Sequence, residues 1–169
     1  MLPTECTFLF NERQRARFKS GELVTRWRQQ YPEILDEDDH RILANPHQRR
    51  YHFCEFLAAV LVYEATGYRS IVEKYTTKCH RLKLGLLSQY LPPQIFAWVC
   101  ARENQLGQPD LFIFDPESRD WCFREVKGPG DTTRPAQAEW TQRLQALLTE
   151  QNLSCQRKTG TIWVKQFAA

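Results

Sequence analysis

Two short apolar segments in the second half of the chain constrain its fold most strongly. Residues 107–114 and 123–131 both have the length of a strand and are rich in aromatic and branched side chains, and the sequence between them is typical of a turn. We therefore predict two neighbouring antiparallel strands. Because side chains two residues apart on a strand point to the same face, Glu125 and Lys127 share a face. Asp110, at the start of the first strand, is then placed across from them.

Two carboxylates and one ammonium on one face of a sheet are unfavourable to bury without a compensating ligand. Carboxylate oxygens are the ligands that hard cations such as Mg²⁺ prefer. This pattern predicts a divalent-cation site at Asp110 and Glu125 with Lys127 beside it. The residues alone also allow a second interpretation, in which Asp110 caps a turn and the other two form a solvated pair on an edge strand.

Composition restricts the class of protein. A chain of 169 residues with 42% hydrophobic residues suits one folded domain, and it has no apolar run of about 18 residues that would span a membrane. We expect no signal peptide and a cytoplasmic protein. Six cysteines occur without a Cys-x-x-Cys spacing, which argues against a zinc site. The net charge of +3 permits binding to nucleic acid without requiring it.

Several positions around this strand pair resemble a known family of nucleases. Pro109-Asp110, fourteen intervening residues and then Glu125-x-Lys127 resemble the PD-(D/E)XK nuclease signature. The surrounding sequence is similar to that of one branch of this superfamily, the virus-type replication-repair nuclease (VRR-Nuc) domain. This domain also occurs in Fanconi-associated nucleases. The positions that carry this likeness are Gly107, Pro109, Asp110, the run Glu125-Val126-Lys127-Gly128-Pro129-Gly130-Asp131, Gln137 and Trp140.

The resemblance implies an α/β fold with a restriction-endonuclease-like core, in which helices flank a mixed central sheet. Extra helices are expected at the N-terminus and as an insertion. The single domain would then comprise a helical N-terminal extension, residues 1–50, and a nuclease core, residues 51–169.

The resemblance also implies roles for individual residues. The expected catalytic residues are Asp110, Glu125, Lys127 and Gln137. The expected ligands of a Mg²⁺ or Mn²⁺ ion are Asp110, Glu125, the carbonyl of Val126 and a third carboxylate. This third carboxylate is Glu73 or, as the alternative, Glu55. Residues expected to contact DNA are Gly128, Gly130, Arg81 and Lys83. The two glycines are also expected to adopt a positive φ and to permit close approach of the backbone.

The resemblance implies that the protein is a divalent-metal-dependent DNA endonuclease. Relatives include structure-selective repair nucleases that act on branched or flapped DNA, and DNase toxins that are delivered into the cytoplasm of a target cell and neutralised by an immunity protein. The alternative is a catalytically inert DNA-binding or assembly module with the same fold. A homodimer is compatible with either function.

Periodicity and capping residues predict the remaining elements. Residues 1–12 give no prediction, and the acidic stretch 33–39 is expected to be a solvated loop or helix face. Helices are predicted over 12–19, 23–31, 51–66, 78–90, 94–104 and 135–151, and further strands over 68–75, 155–158 and 161–165.

Overall fold

A five-stranded mixed sheet is the centre of the protein. The structure is a computed structural model that describes residues 2–73, 75–76, 80–154 and 158–167. The spatial order of the strands is β1-β5-β4-β3-β2. The pairs β1/β5 and β5/β4 are parallel, whereas β4/β3 and β3/β2 are antiparallel. The strands are β1 Glu5–Phe10, β2 Arg69–Val72, β3 Leu111–Phe114, β4 Trp121–Lys127 and β5 Thr161–Gln166.

Seven α-helices cover the two faces of this sheet within the described residues. They are α1 Glu12–Ser20, α2 Glu22–Gln30, α3 Glu37–Ala44, α4 Phe53–Thr66, α5 Arg81–Tyr90, α6 Pro93–Cys100 and α7 Pro135–Glu150. Short 3₁₀ helices lie at Gln48–Arg50 and Arg102–Asn104. The mixed α/β class predicted from the sequence is confirmed, and none of the described helices is long and apolar enough to cross a membrane.

Strand β3 is apolar at every position, without the alternation of polar and apolar residues that a half-exposed strand has. Leu111 and Ile113 belong to a core cluster with side chains of α1 to α4, whereas Phe112 and Phe114 belong to a second cluster with side chains of α5, α6 and α7. A strand that is covered on both faces needs apolar residues at every position. On β4 the second face continues from Phe123 to Glu125, so the acidic group lies at the edge of an aromatic core.

Gly107 fixes the distance between the start of β3 and helix α7. Its φ of +80° is in the left-handed region, and a Cβ on it would lie 2.2 Å from the carbonyl oxygen of Ala136. Only glycine allows the backbone to pass so close to the first turn of α7. This contact brings Gln137, in that first turn, to the ends of β3 and β4.

The first strand was not predicted, because residues 1–12 carry no local signal. Glu5–Phe10 pairs in parallel along its whole length with β5, more than 150 residues later in the chain. The fully buried guanidinium of Arg124 donates hydrogen bonds to the carbonyl oxygens of Leu2 and Pro3. Residues 1–50 therefore contain three α-helices and also one strand of the central sheet.

The prediction of a solvated face for the acidic stretch 33–39 is wrong for Asp38 and Asp39, whereas Glu33 and Glu37 are exposed. Asp38 and Asp39 are buried, and Asp39 Oδ1 accepts a hydrogen bond from Lys83 Nζ at 2.6 Å. The ammonium of Lys83 also donates to the carbonyl oxygen of Val72 at 2.7 Å and is fully buried. The predicted contact of Lys83 with DNA is therefore wrong, because this side chain joins α3, α5 and β2 inside the fold.

The other predicted elements are present with changed ends. The strand predicted over 68–75 is only Arg69–Val72, and the helix predicted over 94–104 ends at Cys100. The two helices predicted as an insertion before β3 are α5 and α6. The start of the helix predicted from residue 78 and most of the strand predicted over 155–158 lie outside the described residues.

Candidate active site

Four side chains predicted for the site meet where the start of β3, the end of β4 and the start of α7 come together. Asp110 precedes β3, Glu125 and Lys127 lie on β4, and Gln137 belongs to the first turn of α7. Together with Glu55, Glu73 and the loop 128–134 they line a cavity of about 470 Å³. The predicted antiparallel pairing of β3 and β4 produces this convergence, because Leu111 lies opposite Arg124 and Asp110 is therefore next to Glu125.

Asp110 is oriented by the backbone of β4. Its Oδ2 accepts a hydrogen bond from the Val126 amide at 2.8 Å, and its own carbonyl oxygen accepts one from the Glu73 amide at 2.8 Å. The first bond fixes the carboxylate of Asp110 against β4. Val126 thus takes part in the site through its amide, and the predicted use of its carbonyl oxygen as a ligand stays a prediction.

The ammonium of Lys127 is held between two acceptors. Nζ donates to Glu125 Oε1 at 2.9 Å and to Gln137 Oε1 at 2.9 Å. Gln137 Nε2 also donates to Glu125 Oε1, and Gln137 Oε1 accepts from the Arg134 amide at 2.9 Å. Both the oxygen and the nitrogen of the Gln137 amide therefore make hydrogen bonds. These bonds fix Lys127 relative to Glu125 and to the start of α7.

Both candidates for the third carboxylate line the cavity. Glu55 is on the first turn of α4, and Glu73 follows β2 with a φ of +35°, a backbone conformation that non-glycine residues rarely adopt. Such strain is concentrated at functional sites. His52 Nδ1 lies 3.2 Å from Glu73 Oε2. Sequence reasoning presented Glu73 and Glu55 as alternatives, whereas the structure brings both to the site.

The carboxyl groups are buried close together, and this shifts their pKa values upwards. Burial, followed by the charge of Glu125, raises the pKa of Asp110 to about 9. Burial, followed by the charge of Glu73, raises the pKa of Glu55 to about 7. Burial also raises the pKa of Glu125, although Lys127 opposes this shift. Besides the exposed Asp131, four carboxyl groups line this cavity, and Lys127 is the only buried cation among its described lining residues.

Two of these carboxylates have an oxygen without a hydrogen-bond partner. Glu55 Oε2 and Glu125 Oε2 are buried, and neither atom contacts a donor within the described part of the chain. A buried acceptor without a partner is unfavourable. A divalent cation bound by carboxylate oxygens would satisfy both the unpaired atoms and the excess negative charge, so the donors present fit a hard divalent metal ion.

The residues predicted to contact DNA differ in their position relative to the cavity and in their exposure to solvent. Gly130 has a φ of +84° and lines the cavity. The positive φ expected for Gly128 is wrong, and its space is limited instead, since a Cβ there would lie 3.1 Å from Cys54 Sγ. The Gly128 amide donates to Asp131 Oδ2 at 2.8 Å, which closes the loop. Arg81 is exposed at the start of α5.

The sequence profile of the VRR-NUC domain family matches residues 62–151, more than half of the chain. The chain belongs to the VRR-NUC family. This family consists of nucleases that generally use divalent metal ions, and the predicted resemblance is confirmed. The matched residues include Glu73, Asp110, Glu125, Lys127 and Gln137, whereas Glu55 lies outside the match.

Comparison with curated proteins gave no match. Four chains of solved structures match. One of them is the crystal structure of paFAN1 bound to DNA with a two-nucleotide 5′ flap and a gap, with 19% sequence identity and a TM-score of 0.33. The alignment covers 92% of this chain and 22% of the paFAN1 chain, so the protein spans about a fifth of that relative's length.

His52 is the side chain at the VRR-NUC site that sequence reasoning did not select. It immediately precedes α4, three residues before Glu55, so both side chains start from the same turn. This spacing was visible in the sequence. The proximity of His52 to Glu73 was not, because it depends on how the start of α4 packs against the end of β2.

Proposed function

We propose that the protein is a divalent-metal-dependent DNA endonuclease that uses Mg²⁺ or Mn²⁺. The observation that carries this proposal is the convergence of Asp110 and Glu125 with the ammonium of Lys127, in a cavity where carboxylate oxygens lack donors. Membership of the VRR-NUC family supports the same reaction class.

Hydrolysis of a phosphodiester requires a water oxygen to attack phosphorus while one ester P–O bond breaks and the leaving oxygen gains a proton. A divalent ion at the carboxylates supplies Lewis-acid polarisation of the phosphate and lowers the pKa of a bound water. Asp110 and Glu125 would hold that ion, since each carboxylate offers an oxygen besides the one that accepts from the Val126 amide or from Lys127.

Lys127 supplies a positive charge next to the reacting phosphate. Its ammonium is directed by Glu125 and Gln137, so it is already oriented before substrate binds. A fixed ammonium orients the attacking water and stabilises negative charge that develops on the phosphate oxygens. Gln137 acts in this proposal as a positioning residue, since its amide contacts Lys127 and Glu125.

DNA reaches the site across the loop 128–134 and the start of α5 in this proposal. Gly130 presents backbone without a side chain at the cavity, which permits close approach of a phosphate. Arg81 is exposed and supplies a phosphate contact. Gly128 closes the same loop through the hydrogen bond from its amide to Asp131 Oδ2.

The test is cleavage of supercoiled plasmid by the purified protein with Mn²⁺, with Mg²⁺ and with EDTA. We expect nicking with either ion and none with EDTA. Asp110→Asn and Lys127→Met should both abolish nicking while the proteins stay folded. Tight binding to DNA without nicking under all conditions would contradict the proposal and support an inert DNA-binding module.

We propose two alternative biological roles. The protein is a structure-selective repair nuclease that acts in the cytoplasm, or it is a DNase toxin that is neutralised by an immunity protein. Expression in a bacterial cytoplasm distinguishes them. Loss of viability with degradation of the chromosome supports a toxin. Harmless expression, with cleavage confined to flapped or branched DNA in a substrate panel, supports repair.

A further inference from the structure

We propose that an uncovered face of β5 and β1 binds a single-stranded segment of the DNA substrate, with an unpaired base stacked on Trp163. The proposal rests on the proposed nuclease function for naming DNA as the ligand. It adds the surface and the side chain that hold one strand beside the reaction centre.

The two faces of these strands are covered unequally. On one face, Ile162 and Val164 are buried in the core that includes side chains of α1 to α4. The residues of β1 on the other face are exposed, and neither core cluster of the described residues includes them; they are Glu5, Thr7 and Leu9. This side of β1 is therefore open to solvent.

The pairing of the strands places Trp163 on the open face and directly beside Lys127. In the parallel ladders, Lys127 lies opposite Trp163, and Trp163 lies opposite Thr7. Residues that lie opposite each other on neighbouring strands share a face, and neighbouring strands are about 4.8 Å apart. The indole is therefore one strand away from the ammonium of the proposed reaction centre, on the same face of the sheet.

Trp163 is not used as a core residue. It is half-exposed and belongs to neither core cluster of the described residues. The ammonium of the exposed Lys165 lies 6.0 Å from the centre of its ring, the outer limit of a cation–π contact. An accessible aromatic ring beside a positive charge supplies the two components of single-strand binding, a platform for a base and a contact for a phosphate.

A cleft connects this surface with the catalytic cavity. It has a volume of about 300 Å³, lies between the start of α7 and β5, and shares Glu125 and Gln137 with the catalytic cavity. Its other polar side chains are uncharged hydroxyls and one amide, from Thr133, Thr141, Gln142, Thr159 and Thr161. Because Thr161 lies two residues before Trp163 on β5, both point to the same face. A strand that leaves the reaction centre can therefore follow the cleft to the indole.

The geometry favours an unpaired nucleotide over a duplex. In a duplex the bases are stacked on one another, so a side chain on the surface of a sheet meets only their edges or the backbone. An unpaired base presents the whole face of its ring to an indole. Stacking on Trp163 therefore selects DNA that is single-stranded next to the scissile phosphate.

The charges on this face favour nucleic acid over a second copy of the chain. The centre of an interface between proteins is depleted of charged residues, whereas the ammonium groups of Lys127 and Lys165 both neighbour Trp163. These two groups complement the phosphates that flank a stacked base. The carboxylate of Glu5 on the same face belongs to the outer strand and lies opposite Thr161.

The experiment measures binding of a fluorescent oligothymidylate and of a blunt duplex of equal length to the full chain. It is done with Asp110→Asn in EDTA, so that neither DNA is cleaved. Adding Trp163→Leu should weaken binding of the single strand by about 10-fold and change binding of the duplex by less than about 2-fold. Trp163→Phe retains an aromatic face and should recover most of the affinity.

Two further variants complete the test. Trp98→Leu changes a half-buried tryptophan on α6 that contacts Trp140, and as the matched control it should alter neither affinity. Lys165→Gln removes one phosphate contact, so the slope of log affinity for the single strand against log salt concentration should become shallower by about 0.7. An unchanged slope would contradict the proposal independently of whether Trp163→Leu folds.

Equal affinity of Trp163→Leu and Trp163→Phe for the single strand overturns the proposal. An equal loss for single strand and duplex, or no measurable binding of the single strand with Trp163 intact, does the same. Dimers that dissociate in Trp163→Leu, measured by analytical ultracentrifugation, would also overturn it, because the face would then be an interface between copies.

These failures are distinguishable from failure of the nuclease function, because plasmid nicking is measured separately in the protein with Asp110 intact. Nicking without an effect of Trp163→Leu on single-strand binding would remove the proposed surface and leave the nuclease. Binding that depends on Trp163 without nicking would leave the surface and remove the nuclease.

Discussion

Two buried charge clusters of this protein lie on either side of the end of β2 and differ in charge balance. In the first, Asp39 and Lys83 form one pair at 2.6 Å, and their side chains are 2% and 0% exposed. Lys83 Nζ donates to Asp39 and to the carbonyl oxygen of Val72, and neither side chain has a buried polar atom without a partner in the described part of the chain. In the second, apart from the exposed Asp131 and Arg134, four carboxyl groups line a cavity with the ammonium of Lys127, and two of their oxygens have no donor in the described part of the chain.

The difference separates a structural ion pair from a site prepared for a ligand. Burial, opposed mainly by Lys83, raises the pKa of Asp39 to about 6, whereas the pKa of Asp110 reaches about 9 because Glu125 adds its charge to the effect of burial. A balanced pair needs nothing further. An unbalanced cluster is unstable by itself and becomes favourable when a cation binds. The two clusters also touch, since Lys83 binds the carbonyl of the residue that precedes Glu73.

The largest expected effect comes from Asp110→Asn. The Asn side chain can still accept the hydrogen bond from Val126, but it supplies no charge to a cation, so the rate of DNA nicking should fall by about 10³-fold or more. Because a buried carboxyl beside other carboxyl groups is unfavourable without a cation, a neutral amide in its place should leave the melting temperature without metal equal or higher. A parallel fall in stability and activity would show that Asp110 is structural like Asp39.

Lys83→Met should have the opposite profile. It leaves Asp39 buried without its cation, so unfolding measured with urea should show a loss of about 3–5 kcal/mol. The pKa of Asp39 then rises further in the folded state, while that of an unfolded Asp is about 3.9. A group whose pKa is higher in the folded state favours folding at low pH and loses this contribution as pH rises through the folded value. The deficit of Lys83→Met should therefore grow between pH 5 and pH 8.

The double substitution Asp39→Asn with Lys83→Met is the control for this result. It removes both charges, so it should recover a large part of the stability that Lys83→Met loses. A double variant as unstable as the single one would mean that packing of the Lys83 side chain, and not its charge, stabilises the junction of α3, α5 and β2.

Metal ions should stabilise only the unbalanced cluster. An ion that binds the folded state at 100 times its dissociation constant adds about 2.7 kcal/mol. We expect Mn²⁺ to raise the melting temperature of the wild-type protein and of Lys83→Met by similar amounts, and to raise that of Asp110→Asn less. Thermal unfolding with Mn²⁺ or with EDTA measures this. Equal shifts in all three proteins would place the bound ion away from Asp110.

The smallest expected effect is that of Gln137→Ala. It removes the hydrogen bonds that fix Lys127 and Glu125 but leaves both side chains in place, so nicking should slow by about 10- to 100-fold. Stability should change by about 1 kcal/mol, as for the loss of a typical hydrogen bond. Gln145→Ala, about two turns further along the same helix, removes a hydrogen bond to Thr159 away from the cavity, so it is the matched control and should retain full activity. Equal activity of the two variants would contradict the positioning role.

The parts of the fold and site that could be predicted are local in sequence. The pairing of β3 with β4 follows from two apolar segments and a turn, and it places Asp110, Glu125 and Lys127 together. The start of α7 follows from Pro135 and the residue before it. Each of these features depends on residues within about 20 positions of each other.

The parts that were missed depend on distant partners. The pairing of β1 with β5 joins the two ends of the chain, and Lys83 finds Asp39 across 44 residues. Neither the burial of Asp39 nor the approach of His52 to Glu73 leaves a periodic pattern in the sequence. For Gly128 the sequence suggested a positive φ. The structure shows instead that a side chain there would crowd the thiol of Cys54, which lies on the distant helix α4.

The central claim is that Asp110 and Glu125 bind one cation between them. Crystals of the protein grown with Mn²⁺ and measured at the manganese absorption edge test it directly through anomalous scattering. The account predicts a peak within about 2.2 Å of one carboxylate oxygen of Asp110 and of Glu125 Oε2, which the described part of the chain leaves without a donor. Well-ordered carboxylates of Asp110 and Glu125 with no anomalous peak between them, at Mn²⁺ concentrations that support nicking, would contradict it.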